Sequence, residues 1–471
     1  MRESGGEEHL TISMTIRTVA SGWAGRHWAL CHHLVAVGAV ASLALLAAPA
    51  AACVGDCNGD GEVVVNELVL GVNIALGAQP VSVCSSFDMN MDGAVLVNEL
   101  LAAVRAGIGG CADRTPTPTV TPSPTGPAGE TRCTVPPGDG VRFDPDQPFC
   151  DLLSSYRFFK DGARQEPNDG VLPYDLNTAL FSDYATKHRF VWLPPGTSAT
   201  YSARDSFAFP VGAVIIKTFS YLADVRDPAA GEQLIETRLL VHRSTGWDAV
   251  TYLWNASETE ATRRVIGARV PVSWIQSDGT ERSITYRVPN TNQCKECHEE
   301  HNGVLGPLGP KARNLNRDHD YADGTANELT RWTEVGYLTG APSPDAAPRS
   351  AEFDAPSTGT VEERARAYLD VNCGHCHNPT GLARTSGLYL NIDETSAARY
   401  GVCKGPVAAG QGSGGRKVDI FPGMPDASIL TYRMESTAAG VAMPELGRQT
   451  VHEEALEVIR AWIEQIPGTC Q

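Results

Sequence analysis

Cys373-Gly-His-Cys-His377 repeats the pattern of an earlier stretch, Cys294-Lys-Glu-Cys-His298. Two cysteines three apart share one side of a helical turn. Both thiols can therefore add to the vinyl groups of one haem while the next histidine reaches its iron. Cys-x-x-Cys pairs also bind zinc, but zinc does not call for a histidine directly after each pair. The pattern implies two covalent haem c groups, one on Cys294 and Cys297, the other on Cys373 and Cys376. His298 and His377 are the expected iron ligands.

The chain has 471 residues and a net charge of −17. That length accommodates about three domains. No Lys/Arg run follows the phosphate spacing of nucleic acid, which is excluded as an expected partner. Arg17 and Arg26 precede an apolar run from Leu34 to Leu46, then Ala-Pro-Ala-Ala-Ala52. Residues 1–52 therefore read as a signal peptide, with Met14 an alternative start. Cleavage directly before Cys53 would give a lipid-anchored, cell-surface form, although Ala-Ala-Ala lacks the usual leucine. No later stretch suits a transmembrane span. An exported, periplasmic protein is expected. Of the thirteen cysteines, Cys31 falls in the signal and four serve haem. Cys53, Cys57, Cys84, Cys111, Cys133, Cys150, Cys403 and Cys470 remain, an even set that suggests disulfides in such a compartment. Position pairs Cys133 with Cys150 and Cys403 with Cys470. The first four fall in one small module, in an order the sequence leaves open.

That module, residues 53–111, contains a repeat. Asp56-x-Asn58-x-Asp60-Gly61, ending at Glu67, recurs as Asp88-x-Asn90-x-Asp92-Gly93, ending at Glu99. Side-chain oxygens at positions 1, 3 and 5, glycine at 6 and glutamate at 12 suit a calcium loop. Two calcium ions are expected, each loop leading into a short helix (68–76 and 100–108). The arrangement resembles dockerin and related EF-hand modules, with a longer repeat and four added cysteines. Thr115 to Thr125 alternates proline with hydroxyl residues, so 112–132 reads as an extended linker.

Residues 133–350 read as a β-rich domain carrying the first haem. Val214 to Phe219, Thr237 to His242, Val250 to Trp254 and Arg282 to Val288 are expected strands, parted by turn signals such as Asp278-Gly279. In 351–471, Val361 to Val371 has the pattern of an amphipathic helix. Val451, Ala455, Leu456, Ile459, Trp462, Ile463 and Ile466 recur at helical spacing. Two helices around Cys373-x-x-Cys-His377 and a Met-Pro loop resemble an α-helical class I cytochrome c-like domain. That likeness implies Met443 as second axial ligand of the C-terminal haem, with Met424 the runner-up. The fold class expected is multidomain α+β.

Several further stretches resemble a family of bacterial exported di-haem c-type cytochromes over residues 150–466. They include Leu180-Phe-Ser-Asp-Tyr-Ala185, Val288-Pro-Asn-Thr-Asn-Gln-Cys294, Lys311-Ala-Arg-Asn-Leu-Asn316 and Met443-Pro-Glu-Leu-Gly-Arg448. The resemblance implies a redox protein with two covalent haems and supplies no substrate. The β region alone is loosely similar to the β-sheet cytochromes with a lysine-cross-linked haem that oxidise hydroxylamine, on Phe209-Pro-x-Gly212, Lys217 and Gly246-Trp247. No methionine lies between Met91 and Met424, so the first iron needs another second ligand or none. His188, His242, His301 and His319 are the candidates, and Lys311 and Arg313 are expected near haem propionates. The favoured function is electron transfer between periplasmic redox partners, a dehydrogenase or an oxidase. The alternative is a haem enzyme with an open first iron acting on a small nitrogen compound or peroxide.

Overall fold

The computed structural model describes residues 53–60, 62–89, 93–109, 138–301 and 304–470. The expected signal peptide, the 112–132 linker, Asn90, Asp92, Cys111 and Cys133 lie outside the described residues. The chain divides into two units, one within residues 1–124 and one within 125–471.

The first unit holds α1 (Val65–Ala75) and α2 (Val97–Gly109), each preceded by one of the Asp-rich turns. Its core gathers Val63, Ile74, Val95 and Ala103 around Phe87, which is fully buried. A Cβ at Gly71 would stand 2.3 Å from the Phe87 ring, so only glycine lets the helix pass the ring this closely. The Cys57–Cys84 disulfide closes the same core, as one of the pairings that the sequence left open.

The second unit is mostly β. A small hairpin, β1 (Phe159–Asp161) with β2 (Glu166–Pro167), comes first. Then follow β3 (Val171–Tyr174), β4 (Thr186–Trp192), β5 (Ala199–Thr200), β6 (Val214–Leu222), β7 (Glu232–Arg243), β8 (Gly246–Trp254) and β9 (Ala261–Arg264). All but β5 form one antiparallel sheet in the order β3-β4-β6-β7-β8-β9. Alternate side chains point to opposite faces. Phe190, Ile216, Leu239 and Tyr252 fill a core on one face. On the other face, Val191, Ile215 and Leu240 belong to one apolar cluster, and Phe219 and Tyr221 to a second. Burial on both faces explains the near-continuous apolar runs of β6 and β7. The hairpin β10 (Ala268–Ile275) and β11 (Glu281–Val288) packs Val272, Trp274 and Tyr286 into that second cluster. Next comes α3 (Thr291–His298), which carries the first motif and lies against β8.

The expected α+β arrangement with an α-helical class I cytochrome c-like domain is corrected here. Eight α-helices occur among the described residues, and none exceeds 13 residues. Two short ones, α4 (Ala312–Leu315) and α5 (Glu328–Glu334), precede residue 351. From 351 onward the chain forms only α6 (Val361–Asn372), α7 (Ile429–Glu435) and α8 (Glu453–Gln465), joined by turns. The stretch between α6 and α7 is studded with glycine and proline, which cannot sustain helix. α6 is started by a capping box, with the Thr360 hydroxyl accepting from Glu363 N at 3.2 Å and the Glu363 carboxylate from Thr360 N at 2.8 Å. α8 buries Ala455, Ile459, Trp462 and Ile463 and packs on α6. This region is not free-standing. Asp183 Oδ1 accepts from Gln449 N (2.6 Å) and Thr450 N (2.8 Å), and Asn372 Oδ1 accepts from Phe181 N (2.7 Å). The Cys403–Cys470 disulfide ties down the last residues, in the pairing expected from position.

Candidate functional site

The two Cys-x-x-Cys-His motifs differ locally: the first ends α3, and the second follows directly on α6. Their histidines are nonetheless held alike. His298 Nδ1 lies 3.0 Å from the Gly306 carbonyl and His377 Nδ1 lies 3.2 Å from that of Leu388. A carbonyl only accepts, so Nδ1 carries the proton in each ring and Nε2 keeps its lone pair. Burial lowers His298 to about 4, and it also lowers His377 to about 4. Both rings are neutral at pH 7, the form that binds iron.

Cys294, Cys297, Cys373 and Cys376 are unbonded thiols. The other described cysteines, Cys53, Cys57, Cys84, Cys150, Cys403 and Cys470, are all in disulfides. Burial raises all four motif thiols, Cys373 to about 12 and Cys376 to about 11. Among the described residues no three or more Cys, His, Asp or Glu side chains gather as a metal would need, so the four cysteines do not converge as a zinc tetrad. The motifs are neighbours: Cys297 acts electrostatically on Cys376, and His375 on His298. These residues suit covalent haem, with thiols free to form thioethers and an imidazole nitrogen held open beside each pair.

α3 overlies the β-sheet face on which Arg189, Lys217, Arg238 and Thr251 stand directly opposite one another across β4, β6, β7 and β8. Arg238 acts on Cys294, and both Arg238 and Lys217 act on Cys297 and His298. The sequence flagged Lys217 but not the row. Its signal was a charge set inside each apolar run, Lys217 in Val-Ile-Ile-Lys-Thr-Phe and Arg238 in Thr-Arg-Leu-Leu. Cross-strand register, which aligns them, is invisible in the sequence.

The candidate second ligands are mostly elsewhere. His188 faces the opposite side of the sheet, since it is paired with Thr218, and its Nε2 lies 2.7 Å from Glu232. His242 is stacked on Trp247 at 4.7 Å, with Nδ1 3.0 Å from the Phe209 carbonyl. His319 sits in the strand Asp318–Tyr321, 3.5 Å from Glu328. The side chain of His301 lies outside the described residues. Sequence reasoning missed His375, whose Nδ1 is 3.2 Å from the Val371 carbonyl and which shares its surroundings with Lys311 and Lys217. Arg313, expected near propionates, is instead buried against Asp370, with Nε at 3.0 Å and Nη2 at 2.8 Å.

Beside the second motif runs the loop 443–448. Glu445 acts on Cys376 and Arg448 on Cys373, which puts the half-buried Met443 in its neighbourhood. Met424 is 52% exposed and Met434 is packed in the core.

In the small unit the two loops are built alike. Glu67 accepts from Cys57 N (2.8 Å) and Val64 N (3.0 Å); Glu99 accepts from Met89 N (2.9 Å) and Leu96 N (2.8 Å). Asp56 accepts from Gly59 N at 2.7 Å, Asp60 from Glu62 N at 2.9 Å, and Asp88 from Gly93 N at 2.9 Å. Asn58 is bonded to Asp60. The donors are oxygens, the type a hard cation takes, but they are engaged with backbone N–H groups, and among the described residues no three acidic side chains gather as a metal would need.

No family model, curated protein or solved structure matches this chain. Among the described residues no helix is long and apolar enough to cross a membrane.

Proposed function

We propose that this chain is an exported electron-transfer protein with two covalent haem c groups, passing electrons between periplasmic redox partners. The observation that carries the reading is the shared treatment of His298 and His377, each held at Nδ1 by a backbone carbonyl with Nε2 left for iron. Haem would supply one-electron exchange at each iron. The chain's residues do the rest. Cys294, Cys297, Cys373 and Cys376 hold the groups, and the buried surroundings keep the imidazoles neutral. The closeness of the motifs supports electron passage from one group to the other. Met443 is the proposed second ligand at the C-terminal site. In the small unit, two structural calcium ions are proposed at Asp56, Asn58, Asp60 and Glu67, and at Asp88, Asn90, Asp92 and Glu99.

A second reading, a haem enzyme acting on a small nitrogen compound or peroxide at the first iron, is favoured by the polar row that α3 overlies. An apolar wall would suit electron transfer alone.

Alkaline pyridine haemochrome of the purified protein tests the main reading. Two haems per chain are expected, and one after a double Cys→Ala change in either motif. A protein holding zinc and no haem overturns it. An electron paramagnetic resonance spectrum of the oxidised protein separates the two readings, because an enzyme with an open first iron gives a high-spin signal.

A further inference from the structure

Four basic side chains crowd one patch of the sheet in the second unit. Lys187, Lys217 and Arg238 surround the Phe219 ring, with their charged groups 5.8, 4.8 and 4.1 Å from its centroid. Arg189 is the direct cross-strand neighbour of Lys217, which in turn faces Arg238. The patch lies between two apolar clusters on the same face, so water screens it poorly.

The carboxylates nearby are already engaged. Glu236 is fully buried and accepts from Arg238 and from the Tyr286 hydroxyl (2.8 Å). Asp175 is paired with Arg189 and lies 3.7 Å from Arg317. Asp183 accepts from the backbone of Gln449 and Thr450. Among the described residues Lys217 has no carboxylate partner. Arg189 is only 5% exposed, yet its Nη2 has no hydrogen-bond partner. The Thr251 hydroxyl at the end of the row is also buried and lies beside the Cys294 thiol. A buried guanidinium nitrogen left unpaired is destabilising, and the neighbouring basic groups repel one another when charged. Burial first, then Arg189 and Arg238, push the Lys217 ammonium well below its usual range.

We propose that the row Arg189–Lys217–Arg238 is a binding site for an oxyanion. The chemistry required is a planar or tetrahedral group of negatively charged oxygens, able to take the free Arg189 N–H and bridge to Lys217. Two sources offer it: the carboxylates of the haem proposed at Cys294 and Cys297, or a free inorganic oxyanion. Only the first source rests on the haem reading.

The test uses the full chain as purified, its haem content first fixed by pyridine haemochrome. Sulfate is titrated calorimetrically into wild type, Lys217→Met and Arg189→Gln, with Arg269→Met as a charge control on the exposed hairpin. Lys217→Met keeps the side-chain length and removes the charge from a buried site, so it should fold, and melting curves verify this. If the occupant is a free oxyanion, wild type and Arg269→Met bind one sulfate and the other two variants bind at least tenfold more weakly. If haem carboxylates fill the site, the loaded protein binds no sulfate and the Lys217→Met midpoint of the first haem falls. Cys294→Ala/Cys297→Ala protein then gains sulfate binding. A chain without haem whose sulfate binding still depends on Lys217 would end the haem reading and leave this site standing. Absence of sulfate binding in every form, with an unmoved midpoint in Lys217→Met, overturns the proposal.

Discussion

Met443 is the residue on which the proposed properties of the C-terminal haem hang. A thioether opposite an imidazole stabilises ferrous iron, and the loop carrying Met443 is the one whose Glu445 and Arg448 act on Cys376 and Cys373. Met443→Ala is expected to abolish the weak far-red absorption of a ferric His/Met haem, while Met424→Ala leaves it. The reverse outcome would transfer the role to Met424, against its 52% exposure. At this scale the residues that covalent spacing defines can be picked out from the sequence as candidates. Cys294, Cys297, His298, Cys373, Cys376 and His377 were legible because the motif is contiguous. His188 misled because a strand side chain's facing depends on register, which pairs it with Thr218 on the far side of the sheet.

Secondary elements were read through periodicity. The strands at 214–222, 232–243, 246–254 and 281–288 each contain the stretch expected from alternation, and α6 and α8 match their apolar spacing. The C-terminal domain was not legible. Two helices were read from their apolar spacing, yet between them the chain forms mostly turns and the short α7, and some of its ion pairs and hydrogen bonds run to the β part. Side-chain pairs such as Arg313 with Asp370 join residues far apart in sequence, and no local pattern announces them. In the small unit, the loop–helix repeat leads to a further expectation. Glu67 and Glu99 are buried carboxylates that knot each loop to its helix, so a cation bound there stabilises both at once. Calorimetry of the full chain should show a transition for this unit that moves to lower temperature on chelation. Asp60→Ala should reproduce about half of that shift. A transition indifferent to chelator would make the loops simple turns.

For the whole molecule, the proposed haems should differ in potential, the first lying below the second. No methionine lies between Met91 and Met424 in the chain that carries the first motif, whereas the second has Met443 nearby. Lys217 and Arg238 beside Cys297 and His298 work the other way, since positive charge favours ferrous iron. Ligand identity spans about 0.8 V across haem proteins and is the larger effect. Spectroelectrochemical titration of wild type and of Cys373→Ala/Cys376→Ala protein assigns the two midpoints. A first haem at or above the second would refute both this order and electron flow from the β part toward the C-terminal part. The partition of the cysteines bears on how such a molecule matures. Among the described residues six are oxidised in disulfides, while the four of the motifs are thiols. In an oxidising compartment the agent that closes Cys403–Cys470 can also close Cys294 on Cys297, and a closed pair cannot take up haem. Maturation then becomes a race between thiol–disulfide exchange and thioether formation. The yield of complete protein would depend on a reductant that reaches the motifs before their neighbours fold shut.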